Sequence, residues 1–119
     1  MKSVVVTGAS TGIGWGCVKI LTAKGFHVFG SVRNAADAAR LSASFKAFTP
    51  LIFDVTDEAS VRAGADVVRA ALGGCTLMGL VNNAGIAIPG PVLHQPLADY
   101  RRQIEVNLLG AFTVSQVFA

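Results

Sequence analysis

The chain has 119 residues, a length that fits one domain, and it carries a net charge of +3. Charged residues make up 14% of the chain, against about 25% in an average soluble domain. We therefore expect the chain to bury surface against further sequence or a partner. The basic residues are scattered from Lys2 to Arg102, which excludes the clustered basic face that nucleic-acid binding requires.

The cysteines and the apolar runs bear on metal binding and location. Cys17 and Cys75 form no CxxC pair and have no histidine nearby at zinc-ligand spacing, so we predict no metal site. The apolar run after Lys2 is too short for a signal peptide. No apolar run approaches the roughly 20 residues of a membrane span. We expect a cytoplasmic protein with two reduced thiols.

Strand and helix patterns alternate along the chain. Short apolar runs predict strands at 4–6, 28–32, 51–53 and 77–81. Helical spacing predicts helices at 13–24, 35–45 and 57–72, and a last helix that begins near 97 after a proline-rich loop. The first helix is expected to bury a face formed by Ile13, Cys17, Val18 and Leu21. The last helix is expected to have one apolar side formed by Leu97, Tyr100, Ile104, Leu108, Ala111 and Phe112.

The resulting order, βαβαβαβα, predicts an α/β fold with a parallel sheet and right-handed crossovers. A doubly wound, Rossmann-like fold has two βαβαβ halves, and the predicted elements supply the first half. We therefore expect residues 1–119 to form a single, incomplete domain of this type.

A glycine-rich turn joins the first strand to the first helix. Its Gly-x3-Gly-x-Gly spacing differs from the standard GxGxxG, but its place between a strand and a helix favours a pyrophosphate site over a bare tight turn. Free N–H groups at a helix N-terminus attract an anion, and nearby hydroxyls can donate further hydrogen bonds. The residues expected to hold the pyrophosphate are Gly8, Ser10, Thr11, Gly12, Ile13 and Gly14.

The end of the second strand indicates which dinucleotide binds. A site selective for NAD(H) has an acidic residue about 20 residues past the glycines, on the ribose 2′-hydroxyl. Ser31, Arg33 and Asn34 lie in this stretch, and no acid follows the strand directly. Arg33 can pair with a 2′-phosphate, and Ser31 or Asn34 can add a hydrogen bond. We predict NADP(H), with NAD(H) less favoured; the alternative is that Arg33 is an ordinary exposed loop residue.

Asp54 follows the third strand, at the edge of a parallel sheet where ligands bind. Its carboxylate could accept a hydrogen bond from the adenine amino group. It could also cap the helix predicted at 57–72. The two roles are compatible.

These motifs together resemble the short-chain dehydrogenase/reductase family, in its NADP-preferring form. The resemblance covers nearly the whole chain. It rests on Thr7-Gly8-x3-Gly12-Ile13-Gly14, Asp54-Val55, Asn82-Asn83-Ala84-Gly85 and Val106-Asn107, which occur in the family's order and spacing.

The resemblance implies an oxidoreductase that interconverts a carbonyl and an alcohol with NADP(H). It implies that Asp54 and the Val55 N–H contact adenine, and that Asn107 is the active-site asparagine, which bends a helix and helps to hold a water in a proton relay. A further segment would steady the sheet and line the cofactor's ribose; it consists of Asn82, Asn83, Ala84 and Gly85.

Two departures from the family pattern stand out. Met78 occupies a place where family members often have an acid. The family's catalytic serine and Tyr-x-x-x-Lys lie downstream of the active-site asparagine, and only 12 residues (119 − 107) follow Asn107 here. The single tyrosine, Tyr100, has no lysine after it and is expected to pack on the last helix. Two hypotheses remain: a portion of an NADP-dependent reductase, or an inactive NADP-binding or oligomerising module.

The substrate and the assembly are the least determined features. The segment 86–94 is apolar and could border a substrate cleft, which favours a small or apolar substrate. His27 is expected at the start of the second strand, and His94 in a solvated loop. The last helix is apolar on more than one face, and the resemblance implies that it packs against a partner subunit. We therefore expect a homo-oligomer, with the fourth strand as an exposed edge.

Overall fold

Four parallel strands form one sheet in the computed structural model, which describes residues 2–119. The strands are β1 (Ser3–Val6), β2 (His27–Val32), β3 (Phe48–Ile52) and β4 (Gly79–Val81), in the order β3-β2-β1-β4. In register, Val5 of β1 lies beside Phe29 of β2 and Leu80 of β4. The chain moves outward from β1 to β3 and then returns to the other side of β1. This reversal between β1 and β4 creates the crevice in which such sheets bind ligands.

Helices connect the strands and follow the last one. They are α1 (Gly12–Ala23), α2 (Ala35–Ser44) and α3 (Glu58–Leu72). After β4 come a short 3-10 turn (Val92–His94), α4 (Leu97–Ile104), a π-helical turn (Glu105–Gly110) and α5 (Ala111–Phe118). The predicted parallel α/β architecture is confirmed.

Two helix starts follow the expected capping chemistry. The Asn34 side-chain oxygen accepts a hydrogen bond from the Asp37 N–H at 2.8 Å, at the start of α2. The Asp57 carboxylate accepts one from the Ser60 N–H at 3.3 Å, at the start of α3. The interpretation of Asp54 as the cap of α3 is therefore wrong, because Asp57 lies at the cap position.

The core lies on both faces of the sheet. Because successive side chains of a strand point to opposite faces, Val4 and Val6 belong to one apolar cluster and Val5 to the other. The first cluster also contains Val18 of α1 and Leu41 of α2. The second cluster includes side chains of α3, the π-helical turn and α5, namely Val61, Val68, Val106 and Val114. Burial on both faces explains why the strands read as continuous apolar runs.

The extents of two strands differ from the prediction. β3 runs over Phe48–Ile52, not 51–53, and β4 is confined to Gly79–Val81. Pro50 lies within β3, one residue before the predicted start of the strand. A proline has no N–H to donate to a neighbouring strand, so it is tolerated mainly in edge strands, which have a neighbour on one side only. β3 is an edge strand of the described sheet.

The predicted apolar faces of two helices differ in part from the structure. In α1, Val18 is buried and Cys17 and Leu21 pack against the core, as predicted, but Ile13 is 79% exposed and the buried residue of the first turn is Gly14. On the last helical segment, Leu108 and Phe112 are 61% and 64% exposed, whereas Val106 and Val114 are buried. The buried row passes through Gly110, where an added Cβ would lie 2.6 Å from Val55 Cγ2. The small residue therefore sets which face meets the core. Tyr100, expected to pack, is 55% exposed.

Candidate dinucleotide site

A cavity of about 400 Å³ opens at the carboxyl ends of the strands. Glycine-turn residues lie at one end, the segment after β2 at the other, and the segments after β3 and β4 form the sides. The residues that line it are Gly8, Ser10, Thr11, Ser31, Arg33, Asn34, Asp37, Phe53, Asp54, Val55, Asn83, Ala84, Gly85, Ile86, Arg102 and Val106. Most of the residues predicted from separate motifs therefore meet around one space.

The glycine turn is held close to the sheet. The Gly8 N–H donates to Ser31 Oγ at 3.0 Å, and the Gly8 carbonyl accepts from Asn83 Nδ2 at 3.0 Å. A Cβ added at Gly14 would overlap the Gly8 carbonyl oxygen and lie 2.5 Å from Asn83 Nδ2. The first turn of α1 thus packs against the turn only because residue 14 has no side chain.

The start of α1 has the features of an anion site. Thr11 is the N-cap residue with an extended backbone (φ −149°), and its side chain makes no capping hydrogen bond within residues 2–119. The first N–H groups of a helix have no partner within it, and here no side-chain cap occupies them. They carry partial positive charge that attracts a phosphate.

Thr7 connects the carboxyl ends of β1 and β4, and it is not among the site residues predicted from the sequence. Its side chain is 1% exposed. Thr7 Oγ1 accepts hydrogen bonds from the Asn83 N–H at 3.0 Å and the Ala84 N–H at 2.9 Å. A hydroxyl residue at the end of a buried strand, directly before the glycine turn, is the signal that could have found it.

The adenosine end of the cavity is polar. Arg33 is exposed and lines the cavity, as its proposed contact with a 2′-phosphate requires. The two supporting side chains are already engaged: Ser31 Oγ accepts from Gly8, and Asn34 caps α2. Of the three side chains considered for the phosphate, only Arg33 is not committed to a described contact.

An acidic residue missed by the sequence analysis also lines this end. Asp37, in the first turn of α2, lies outside the stretch that directly follows β2 but reaches the cavity wall. Its Oδ1 is 3.2 Å from Arg40 Nη2, and its Oδ2 accepts from Asn34 Nδ2 at 3.2 Å. The same Arg40 nitrogen donates to the Ser10 carbonyl at 2.7 Å. Helical periodicity past the strand end is the signal that could have found Asp37.

Asp54 presents a charged acceptor on the cavity side. Asp54 Oδ1 accepts from the Thr56 N–H at 2.9 Å and from Thr56 Oγ1 at 2.7 Å. These bonds lower the pKa of the Asp54 carboxyl, the backbone bond foremost, and the positive charges of Arg102 and Arg33 lower it further against the opposing effect of burial. The carboxylate is therefore ionised at neutral pH.

Asn107 lies in the π-helical turn between α4 and α5, a type of feature at which helices bend. Its Oδ1 accepts from the Ile86 N–H and its Nδ2 donates to the Ile86 carbonyl, both at 2.8 Å. One helical turn earlier, Gln103 Oε1 accepts from the Ile88 N–H at 3.2 Å, and Gln103 Nε2 donates to the Ile88 carbonyl at 3.4 Å. Gln95 Nε2 also donates to the Ile88 carbonyl, at 2.9 Å, so three amide side chains hold the segment after β4.

Several predicted residues lie apart from the cavity wall. Gly12, Ile13 and Gly14 are in the adjoining turn but do not line it. Asn82 donates from Nδ2 to Ser115 Oγ of α5 at 2.9 Å, so its amide ties β4 to the last helix. Within residues 2–119, no group of three metal-ligating side chains is in position to hold an ion.

The two histidines lie as expected. His27 is at the amino end of β2, opposite the cavity, and His94 is exposed in the 3-10 turn.

None of the described helices has the length and apolar character to span a bilayer.

A sequence model of the family described as short chain dehydrogenase matches residues 2–119. The chain belongs to the short chain dehydrogenase family. The resemblance inferred from the sequence is confirmed over almost all of its length.

Relatives of the chain include proteins named as reductases. It is 39% identical over 117 residues to the NADPH-dependent 3-dehydrocapnine reductase of Ornithobacterium rhinotracheale, covering 98% of this chain and 41% of that protein. It is 36% identical over 115 residues to the 3-amino-tetrahydro-pyrrolizinone reductase of Xenorhabdus hominickii, covering 97% and 39%. The chain thus spans about two-fifths of the length of these relatives.

Solved structures of the same family confirm the Rossmann-like fold. NADPH-bound carbonyl reductase from chicken fatty liver superimposes with a TM-score of 0.90 at 33% identity, covering 99% of this chain and 50% of that one. A mutant short-chain dehydrogenase/reductase from Serratia marcescens superimposes with a TM-score of 0.87 at 28% identity, covering 98% and 49%.

Proposed function

We propose that this short chain dehydrogenase chain is the NADP(H)-binding part of an oxidoreductase that interconverts a carbonyl and an alcohol. The observation that carries the proposal is the cavity itself. It brings the glycine turn, Arg33, Asp54 and the segment after β4 around one space. Relatives with reductase activity, one of them NADPH-dependent by name, support the same reaction class.

Each part of the dinucleotide has a matching part of the cavity. The turn from Gly8 to Gly14 and the N-terminus of α1 would hold the pyrophosphate. Arg33 would pair with the 2′-phosphate, and Asp54 with the Val55 N–H would contact adenine. The ribose would lie along the segment 82–85, whose backbone is fixed by Thr7.

The chain's own residues prepare the site for hydride transfer. Bound NADPH would supply the hydride. Phe53, Val55 and Val106 give the cavity apolar walls that limit water. Asn107 holds the Ile86 backbone at both its N–H and its carbonyl, so its amide orients the segment that borders the reacting end.

The substrate is proposed to be small or apolar. In the segment 86–94, Val92 and Leu93 are 89% and 91% exposed. Ile86, at the start of the segment, lines the cavity, and large apolar side chains exposed to water favour contact with an apolar ligand.

Charge reversal at Arg33 tests the cofactor proposal. A charge-assisted hydrogen bond to phosphate contributes about 1.5–3 kcal/mol, or roughly 10- to 150-fold in affinity. In a fluorescence titration, we expect the wild-type chain to bind NADPH more tightly than NADH, and Arg33→Asp to remove or reverse this difference.

Arg62→Asp is the matched control for that titration. Arg62 is an exposed arginine of α3 that pairs with Glu58, and it does not line the cavity. The control should keep the preference of the wild type. Equal affinities of the wild type for NADPH and NADH would contradict the assignment of Arg33.

We also propose that the protein forms a homo-oligomer through the last helical segment. Large apolar side chains lie in water along one side of it, which in a monomer is unfavourable. These side chains are Leu97, Tyr100, Ile104, Leu108, Leu109 and Phe112.

The cytoplasmic location expected from the sequence stays a prediction, and fractionation of cells that express the protein would test it.

A further inference from the structure

A lateral contact links α2 to the glycine turn. Arg40 lies on α2, and its Nη2 donates both to the Ser10 carbonyl at 2.7 Å and to Asp37 Oδ1 at 3.2 Å. Residues 10 and 40 are far apart in sequence, and this contact is made outside the cavity wall, which Ser10 and Asp37 line but Arg40 does not. The Arg40 guanidinium therefore contacts two separate parts of the site, the Ser10 carbonyl and the Asp37 carboxylate, from outside the cavity.

The contact at Ser10 bears on how the turn receives an anion. In a trans peptide, the carbonyl of one residue and the N–H of the next point in opposite directions. Because Arg40 holds the Ser10 carbonyl, it also fixes the direction of the Thr11 N–H. A pyrophosphate needs N–H groups directed at it and carbonyl oxygens directed away.

The contact at Asp37 bears on the adenosine end. The Asp37 carboxylate lines the same end of the cavity as Arg33, where a 2′-phosphate would carry negative charge. An unpaired carboxylate there would repel the phosphate. Arg40 and the Asn34 amide each occupy one of its oxygens, and Arg40 supplies the compensating charge.

We propose that Arg40 is a positioning residue for the cofactor. It fixes the pyrophosphate turn through Ser10 and neutralises Asp37 beside the 2′-phosphate of NADPH. This inference rests on the proposed function, because it presumes that a dinucleotide occupies the cavity. It assigns two separable effects: one shared by NADPH and NADH, and one specific to NADPH.

Titration of NADPH and NADH with an Arg40→Ala variant separates these effects. NADH affinity should fall about threefold, since the exposed contact to the turn is lost. NADPH affinity should fall about tenfold or more, since Asp37 is then left charged beside the phosphate. Arg40→Lys keeps the charge but loses the planar fork, so it should restore the NADPH-to-NADH ratio while both affinities stay below those of the wild type.

A second background isolates the charge effect. In Asp37→Asn, no carboxylate needs neutralising, so adding Arg40→Ala should weaken both cofactors equally. Arg69→Ala is the matched control: Arg69 and Asp66 form an i,i+3 pair on α3 at 2.7 Å, like Arg40 and Asp37, but without a contact to the turn. It should leave both affinities unchanged.

The outcomes distinguish this inference from the proposed function. If the wild-type chain binds neither dinucleotide, both fall. If the wild type prefers NADPH and Arg40→Ala keeps both wild-type affinities, the inference alone is overturned. It is also overturned if Arg40→Ala weakens the binding of NADPH and of NADH by the same factor when Asp37 is unchanged. Circular dichroism would verify folding, and Arg40→Gln, with the same selective loss expected, replaces the alanine variant if that variant unfolds.

Discussion

The side chains of Thr7 and Asn83, together with the missing side chain of Gly14, determine how β1, α1 and β4 meet at the cavity. The Gly8 carbonyl receives the Asn83 amide, and Gly14 packs directly over it. Thr7 Oγ1 accepts hydrogen bonds from the Asn83 and Ala84 N–H groups. Because buried polar groups require partners, these contacts satisfy the backbone at the point where both strands end. The glycine turn therefore keeps its shape through β4 as well as through its own sequence.

Substitution of Gly14 tests this packing. We expect Gly14→Ala to destabilise the protein by about 1–3 kcal/mol or more, as overpacking does, because the obstructing atom is a backbone carbonyl. Gly16→Ala is the matched control in the same helix, where an added Cβ meets nothing within 4 Å. It should stabilise α1 by up to about 1 kcal/mol. Urea unfolding measures both, and equal midpoints for the two variants would contradict the packing argument.

For single residues, the sequence predicted which residue types occur near the cavity better than it predicted where their side chains point. The glycine turn, Arg33 and Asp54 were placed at the cavity by counting from strand ends. Asp37 was missed because it enters from the first turn of a helix. Asn82 was expected beside the cofactor, yet its amide binds Ser115. Asn82 and Asn83 follow β4 and their side chains make contacts with different elements, Ser115 of α5 and the Gly8 carbonyl. A motif interpreted as one unit does not show this difference.

Among the elements, β3 shows how an edge strand is attached to the sheet. His27 Nε2 of β2 lies 2.8 Å from Thr49 Oγ1 of β3, and the His27 ring packs edge-on against Phe29. This side-chain contact adds to the backbone pairing of an edge that contains a proline. Burial lowers the pKa of His27 below its usual value.

The lowered pKa of His27 makes stability depend on pH. The unfolded chain takes up a proton near pH 6.5, the usual value for histidine, whereas the folded protein resists it. The folded state is therefore favoured most above that pH, and stability falls as the pH drops from 7 to 5. We expect the difference in unfolding free energy between wild type and His27→Gln to change over this range. Parallel curves for the two proteins would contradict this prediction.

The helices were predicted well except where their geometry changes. The range predicted for α3, 57–72, agrees with the observed Glu58–Leu72 to within one residue, and Val61, Ala65 and Val68 form its buried face. On the last segment, a uniform 3.6-residue period was extended through a π-helical turn. Because apolar residues occur on several sides, hydrophobicity alone could not show that the row through Gly110 meets the core.

At the scale of the whole molecule, apolar surface is concentrated on one side of the last helical segment. β4 pairs with β1 on one side only, so it is an edge of the described sheet. Beside it, a second cavity between α3 and α5 is lined by apolar residues that include Leu72, Leu77 and Phe118. Exposed edges and apolar faces of this kind promote association between chains.

Removal of that surface should change the association state. We expect the 119-residue chain to self-associate at micromolar concentration, and the double variant Leu108→Glu with Phe112→Glu to sediment as a monomer, because the charges cannot be buried unpaired. Ile20→Glu is the control: Ile20 is 59% exposed but lies on α1. A single sharp monomer boundary for the wild type in sedimentation velocity would argue against the oligomer.

The paired amides of Gln103 and Asn107 imply a match of two repeat lengths. Gln103 and Asn107 are four residues apart on the helical segment, about one turn, so their amides lie on the same side of it. The residues that they hold, Ile88 and Ile86, are two residues apart on the segment that follows β4. The contacts with the helical segment therefore fix the position of the segment that follows β4. A residue inserted at position 87 would put one amide out of step, so this stretch has a fixed length even though it contains neither helix nor strand.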